Sequence, residues 1–288
     1  MKLVIRFGAK KRPPSDTAGP VAVPTEGTKV LDDTQILVRV GAGGRSECGP
    51  VRAINQDCYA IDDGAKAYLV ADGMGGHKAG EIASRIATDT FMNFVNRTRA
   101  DDRADWPFGQ DAGMSFEANR LRNAIAMANR RVWRSAQSDP RLEGMGTTMV
   151  AVIVIDDTIA IGHVGDSRLY HCGAKSIEQV TLDDSWAVHA PDHQPRDADG
   201  RVRPGVLTSV LGMAEPITVH VTERKWDVND ALVLCSDGLH GVVDAQSIEQ
   251  VLHETQNDPD LASRKLVDMA LARGTRDNVT AVVVRRER

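Results

Sequence analysis

An apolar run that stops at an acid and dissolves into glycines is the feature that most limits how this chain can fold. In AYLVADGMGGHKAGE, Ala67 to Glu81, four of the eight residues after Asp72 are glycine. AYLV reads as a buried strand. Gly73, Gly75, Gly76 and Gly80 let the backbone turn sharply and approach a ligand. A carboxylate is thereby thrust out at a strand end, where a hard cation can take it together with the Gly73 carbonyl. A strand-to-helix turn in which Asp72 caps the helix explains this single loop equally well. A second junction of the same kind, ALVLCSDG (Ala231 to Gly238), and a third acid, Asp277 in GTRDNVTAVVV, favour the cation reading, because three strand-end acids far apart in sequence can converge in space.

The rest of the chain supplies strands and helices for those junctions. Residues 1–35 hold Pro13, Pro14, Pro20 and Pro24 among small polar residues, with five basic side chains in the first twelve positions, a composition that predicts a flexible tail. The domain is expected over 36–288. ILVRV alternates as a first strand, Gly41, Gly43 and Gly44 read as part of a connection, and VRAINQDCYAI reads as a second strand carrying Arg52, Asn55 and Asp57. A guanidinium beside a metal is well shaped to hold phosphate oxygens. Helical spacing marks Glu81 to Arg97 and again Leu121 to Ala136. MVAVIVI and IAIGHV form a hairpin that runs into GDSRLYHC, where Asp166 sits at a turn. No period persists from Leu182 to Leu211, so a functional lid or a disordered loop is expected there. Its His189, Asp192 and His193 admit a metal cluster, although histidines on a polar loop are more often solvated. ITVHV and ALVLC read as strands, Gln246 to Glu254 and Leu261 to Ala272 as helices, and VTAVVV as the last strand. Strands arriving first and last, with helices between hairpins, predict two mainly antiparallel sheets packed together and covered by helices.

Composition closes several routes. With 288 residues, 42% of them hydrophobic, one good core is expected. A net charge of -5 lacks the basic footprint of a nucleic-acid binder, and no apolar run approaches a membrane span. Cys48, Cys58, Cys172 and Cys235 show no close-spaced zinc pattern and fit a reducing, cytoplasmic setting.

With these residues in view, the chain resembles the bacterial metal-dependent protein phosphatases, the type 2C serine/threonine family. VRAINQD, VADGMGGHKAGE, GMGTTMV, HVGDSRLY, LCSDG and TRDNVTAVVV occur in the family's order from about Ile36 to the C-terminus. The resemblance implies an α+β fold, a four-layer α-β-β-α sandwich with the metal centre at one end of its sheets. It implies that Asp72 bridges two manganese or magnesium ions, that the Gly73 carbonyl binds one, and that Asp237 and Asp277 complete the other. Asp166, with Asp237, matches the acid of a third, weaker metal. Arg52 would hold the substrate phosphate, Asp57 would orient water, and Asn278 would support the site. Two positions depart from the pattern: Gln56 replaces the usual glutamate, and Met74 stands where eukaryotic relatives carry a histidine proposed as general acid. His77, three residues beyond Met74, reads as a turn residue.

The implied activity is hydrolysis of phosphoserine and phosphothreonine in proteins, among them a serine/threonine kinase and its substrates, by a monomer. Two cations about 3.5 to 4 Å apart suit that reaction, since they offset the charge of a phosphate dianion. Alternatives are another two-metal hydrolase, which the acidic balance disfavours, and a pseudophosphatase that binds phosphoproteins without turnover, which Gln56 alone keeps alive. In TEGTKVLDDTQIL, Thr28 and Thr34 each precede a leucine by three residues, a spacing similar to the phosphothreonine ligands of forkhead-associated domains. A linker with chance threonines explains the same stretch.

Overall fold

The computed structural model describes residues 39–75, 79–99, 106–197, 199, 201–203, 205–256 and 258–287. The readings of the tail with Thr28 and Thr34, and of His77, fall outside these residues.

Apolar alternation on both strand faces dictates the layering. In strand β3 (Ala67–Met74), Ala67, Leu69 and Ala71 point one way, while Tyr68 and Val70 point the other. A strand apolar on both faces must be covered on both. Five strands pair in the order β1 (Arg39–Glu47), β11 (Val279–Glu287), β10 (Ala231–Cys235), β7 (Arg168–Cys172) and β8 (Ile177–Gln179). The second sheet runs β2 (Asp57–Asp62), β3, β5 (Met149–Ile155), β6 (Thr158–Val164) and β9 (His220–Lys225), with the two-residue β4 (Gly146–Thr147) beside β3. All pairings are antiparallel.

Three apolar layers result. Tyr68, Val70, Val152, Ile161, Trp226, Leu234 and Val282 fill the space between the sheets. Helices α1 (Ala79–Thr98) and α2 (Phe116–Ser138) cover the six-stranded sheet through Phe91, Val95, Leu121 and Ile125. Helices α5 (Ala245–Thr255) and α6 (Pro259–Ala272) cover the other through Ile248, Leu252, Leu266 and Val267. Ser115, Asp244 and Asp258 cap α2, α5 and α6 by accepting from Ala118, Ser247 and Leu261 amides. Among the described residues, no helix is long and apolar enough to cross a membrane.

Several boundaries differ from the sequence reading. Gly41, Gly43 and Gly44 lie within β1 rather than in a connection. The reason is helix packing: a Cβ on Gly43 would come within 2.4 Å of the Asp260 backbone, so α6 seats on bare strand. VRAINQ is loop rather than strand, and β2 begins only at Asp57. The stretch from Leu182 to Leu211 holds a short helix, α3 (Trp186–His189), a 3-10 turn (Pro191–His193) and isolated bridges. The Asp184 amide donates to Gly165 O, the Thr208 amide to Asp184 O, and Leu211 exchanges backbone bonds with Thr147, so the two ends of this segment are tied at different places.

Candidate metal centre

Antiparallel pairing brings the acids to one end of the sandwich. Asp57 opens β2 directly opposite Asp72 near the end of β3. Asp166 lies between β6 and β7, Asp237 opens the short helix α4 (Asp237–His240) after β10, and Asp277 precedes β11. The six-stranded sheet therefore contributes two acids, the five-stranded sheet two, and the crossover between sheets the fifth.

Tight backbone packing sets the two glycine junctions. A Cβ at Gly73 would lie 2.1 Å from Gly80 O and 2.6 Å from Gln56 O, and one at Gly238 would lie 1.9 Å from Asn278 O. Only glycine fits at either position. Asp72 is half-buried in β3 rather than capping α1, which starts at Ala79. Its amide donates to Thr148 Oγ1 (3.0 Å), and its carbonyl accepts from Thr148 N (2.8 Å) and Thr147 Oγ1 (2.9 Å). These bonds hold the backbone and leave the carboxylate to its acidic neighbours.

Those neighbours repel. Burial and the charges of Asp57, Asp237, Asp166 and Asp277 push the Asp72 carboxyl well above the usual range. Burial, followed by the Asp237 and Asp183 charges, raises Asp166 to about 7. Burial raises Asp57 to about 6, against the hydrogen bonds from Thr280 and Ser236. Asp237 is raised by burial and by Asp277. One buried oxygen of Asp57 (Oδ1) and one of Asp237 (Oδ1) have no hydrogen-bond partner. Buried, unpartnered, mutually repelling carboxylate oxygens are a costly arrangement for folding alone. An all-oxygen donor set of this kind fits hard divalent cations such as manganese and magnesium.

The loop at 48–56 is laced to these acids by Asn278. Its Nδ2 donates to Cys48 O (2.9 Å) and Ile54 O (3.0 Å), and its Oδ1 accepts from the Gln56 amide (2.8 Å). The Gln56 carbonyl accepts from the Gly73 amide (3.1 Å) and Ser84 Oγ (2.6 Å). The loop presents Arg52, half-exposed, whose Nη2 donates to Asp277 Oδ2 at 2.6 Å. Arg52, Asp237, Gly238 and Asp277 line a groove of about 480 Å³.

Sequence reasoning missed the hydroxyls behind Asp57. Ser236 Oγ (2.7 Å) and Thr280 Oγ1 (2.6 Å) both donate to its Oδ2, and Thr280 Oγ1 also meets Ser46 Oγ at 2.7 Å. Ser236 adjoins Asp237 and Thr280 follows Asp277 by three residues, but nothing local in the sequence ties either hydroxyl to Asp57. His189, Asp192 and His193 do not assemble into a metal cluster: His189 Nε2 lies 3.6 Å from Asp184 Oδ1, and Asp192 and His193 are exposed.

The sequence profile of Protein phosphatase 2C matches residues 50–272. The chain belongs to this family. Among its phosphatase 2C relatives, the serine/threonine phosphatase stp of Listeria monocytogenes is 29% identical over 253 residues, covering 84% of this chain and 94% of that one. The serine/threonine protein phosphatase PstP of Mycobacterium tuberculosis is 32% identical over 244 residues, covering 83% of this chain and 43% of PstP. The fold is similar to the crystal structure of the PstP catalytic domain in complex with two manganese ions, with a TM-score of 0.71 and 29% identity over 87% of this chain and all of that one. The family and the four-layer fold implied by the sequence are thereby borne out. Nothing in the site or in these phosphatase 2C relatives supports the pseudophosphatase alternative.

Proposed function

We propose that the protein hydrolyses phosphoserine and phosphothreonine in proteins at a dinuclear manganese or magnesium centre. The observation that carries this reading is the gathering of five aspartates at one end of the sandwich, with unpartnered buried oxygens on Asp57 and Asp237. Asp72, the Gly73 carbonyl, Asp237 and Asp277 would hold the two ions, and Asp166 with Asp237 a third. When bound, the ions would offset the charge of the phosphate dianion and activate water for attack. Arg52 reaches the groove from its loop and would orient the phosphate through its guanidinium fork. Asp57, held by Ser236 and Thr280, would accept a hydrogen bond from the attacking water and fix its direction. Asn278 and Gln56 keep the Arg52 loop and the Gly73 junction together.

We assign the catalytic domain to 36–288 and residues 1–35 to a tail whose phosphorylated Thr28 or Thr34 would engage a forkhead-associated domain. The phosphoproteins would include a serine/threonine kinase and its substrates in the cytoplasm, and the enzyme would act as a monomer. Hydrolysis of a small aryl phosphate and a phosphothreonine peptide with manganese, magnesium or chelator tests the reading. Turnover of both is expected with either metal and none with chelator; chelator-resistant turnover overturns it.

A further inference from the structure

Away from the proposed metal centre, one other set of side chains among the described residues converges with metal-ligand chemistry. Cys172 Sγ, a Glu249 carboxylate oxygen and a His253 ring nitrogen all lie within 4.8 Å of one another. Glu249 and His253 stand one turn apart on α5 and so share a face. Cys172 closes β7 beneath that helix. Asp166 precedes the other end of the same strand, so the thiol sits at the opposite end of the five-stranded sheet from the acids.

We propose that Cys172, Glu249 and His253 form a binding site for a borderline transition metal of the zinc class. Thiolate, imidazole and carboxylate are the three donor types zinc takes, and three protein ligands with one open position is an established zinc geometry. Zinc bond lengths place tetrahedral ligands roughly 3.5 Å apart, so the cluster must close slightly. His253, exposed on the helix, and Glu249, half-buried, have room to swing inward, while the buried Cys172 is the fixed point. A cavity of about 390 Å³, lined in part by Cys172, Asp230, His253 and Gln256, leaves space for a water on the open position.

The surroundings favour a cation and define its linkage to pH. Burial, then the charge of Glu249, raises the Cys172 thiol above its ordinary value, while Arg285 opposes the rise. The thiol is therefore protonated at neutral pH, and metal uptake releases a proton. Asp230 adds negative charge nearby without being a ligand, since its carboxylate accepts from His171 Nε2 (2.8 Å, in the tautomer that donates) and from the Asp227 amide (2.8 Å). Donor softness separates the two sites: the acids at the far end suit manganese and magnesium, whereas a thiolate selects zinc or cobalt. A metal here would pin α5 to β7.

The full-length protein, saturated with manganese, is titrated with zinc or cobalt(II) and compared with Cys172→Ser, His253→Ala and Cys48→Ser. Expected are one equivalent of zinc bound beyond the Cys172→Ser value and a sulfur-to-cobalt charge-transfer band, both kept in Cys48→Ser. His253→Ala is expected to weaken binding by more than about 100-fold, since loss of mere outer-shell partners costs 10- to 100-fold. Phosphatase activity without zinc is expected to stay at the wild-type level in all but the Cys48 control. If Cys172→Ser proves unstable, Glu249→Gln replaces it and is expected to lower zinc affinity in the same way. Equal zinc uptake by wild type and the ligand variants, or a charge-transfer band that survives loss of Cys172, overturns the site.

Discussion

Asp237 stands with a buried, unpartnered oxygen among four other acids, so its removal acts in opposite directions on stability and on activity. Asp237→Asn keeps the shape and deletes a charge that the proposed centre would use to hold a hard cation. Manganese-dependent turnover is expected to vanish, while the metal-free variant is expected to be more stable than metal-free wild type by on the order of 1 kcal/mol through relief of like-charge repulsion. Thermal unfolding in chelator, beside activity in manganese, checks both halves. Arg52 presents a different balance because it already spends one hydrogen bond on Asp277. A charge-assisted pair contributes about 1.5 to 3 kcal/mol, so Arg52→Ala is expected to raise KM for a phosphopeptide by about 10- to 100-fold. Arg52→Lys recovers only part, since an ammonium lacks the planar fork. An unchanged KM in Arg52→Ala removes this side chain from phosphate binding.

At the level of elements, the loop at 48–56 depends on one side chain from the other end of the chain. Asn278→Ala removes two donated bonds and one accepted bond and strands the Cys48 and Ile54 carbonyls. A stability loss of about 2 to 4 kcal/mol is expected in urea unfolding, accompanied by a raised KM because Arg52 rides on that loop. Such cross-chain lacing also shows what could be read in advance. The strand-acid-glycine junctions at Asp72 and Asp237 were legible because an apolar run ending at an acid is local information. The helices around Phe91 and Ile125 were legible by periodicity, and the hairpin of β5 and β6 by its apolar runs. Gly43 was not, since its meaning lies in the Asp260 backbone some two hundred residues on. Nor was the seating of Asp57 on Ser236 and Thr280 legible, because those hydroxyls come from two different strand junctions. Cys172 carried no close-spaced partner in sequence, and its neighbours Glu249 and His253 arrive only when α5 lies over β7.

For the whole molecule, the acids couple folding to pH with a sign that metal reverses. Asp57 and Asp166, raised to about 6 and about 7, bind protons in the folded, metal-free protein at pH values where the unfolded chain has released them. Folded values above unfolded ones mean that stability is fully present below about pH 4 and is lost as pH rises through the window to about 7. Manganese needs the deprotonated acids, so in its presence stability is expected to rise across the same window, by about 2.7 kcal/mol at a hundredfold excess over Kd. Thermal unfolding from pH 5 to 7.5 with chelator and with manganese tests the crossing; parallel curves contradict it. The anchoring of the segment from Leu182 to Leu211 has a mechanical side. Asp184 bonds Gly165 through both its backbone and its carboxylate, and Thr208 fastens to Asp184. Asp184 thus clasps the turn that carries Asp166, while Leu211 exchanges backbone bonds with Thr147, whose hydroxyl donates to the Asp72 carbonyl, so the two ends of the segment are riveted to the supports of two different acids.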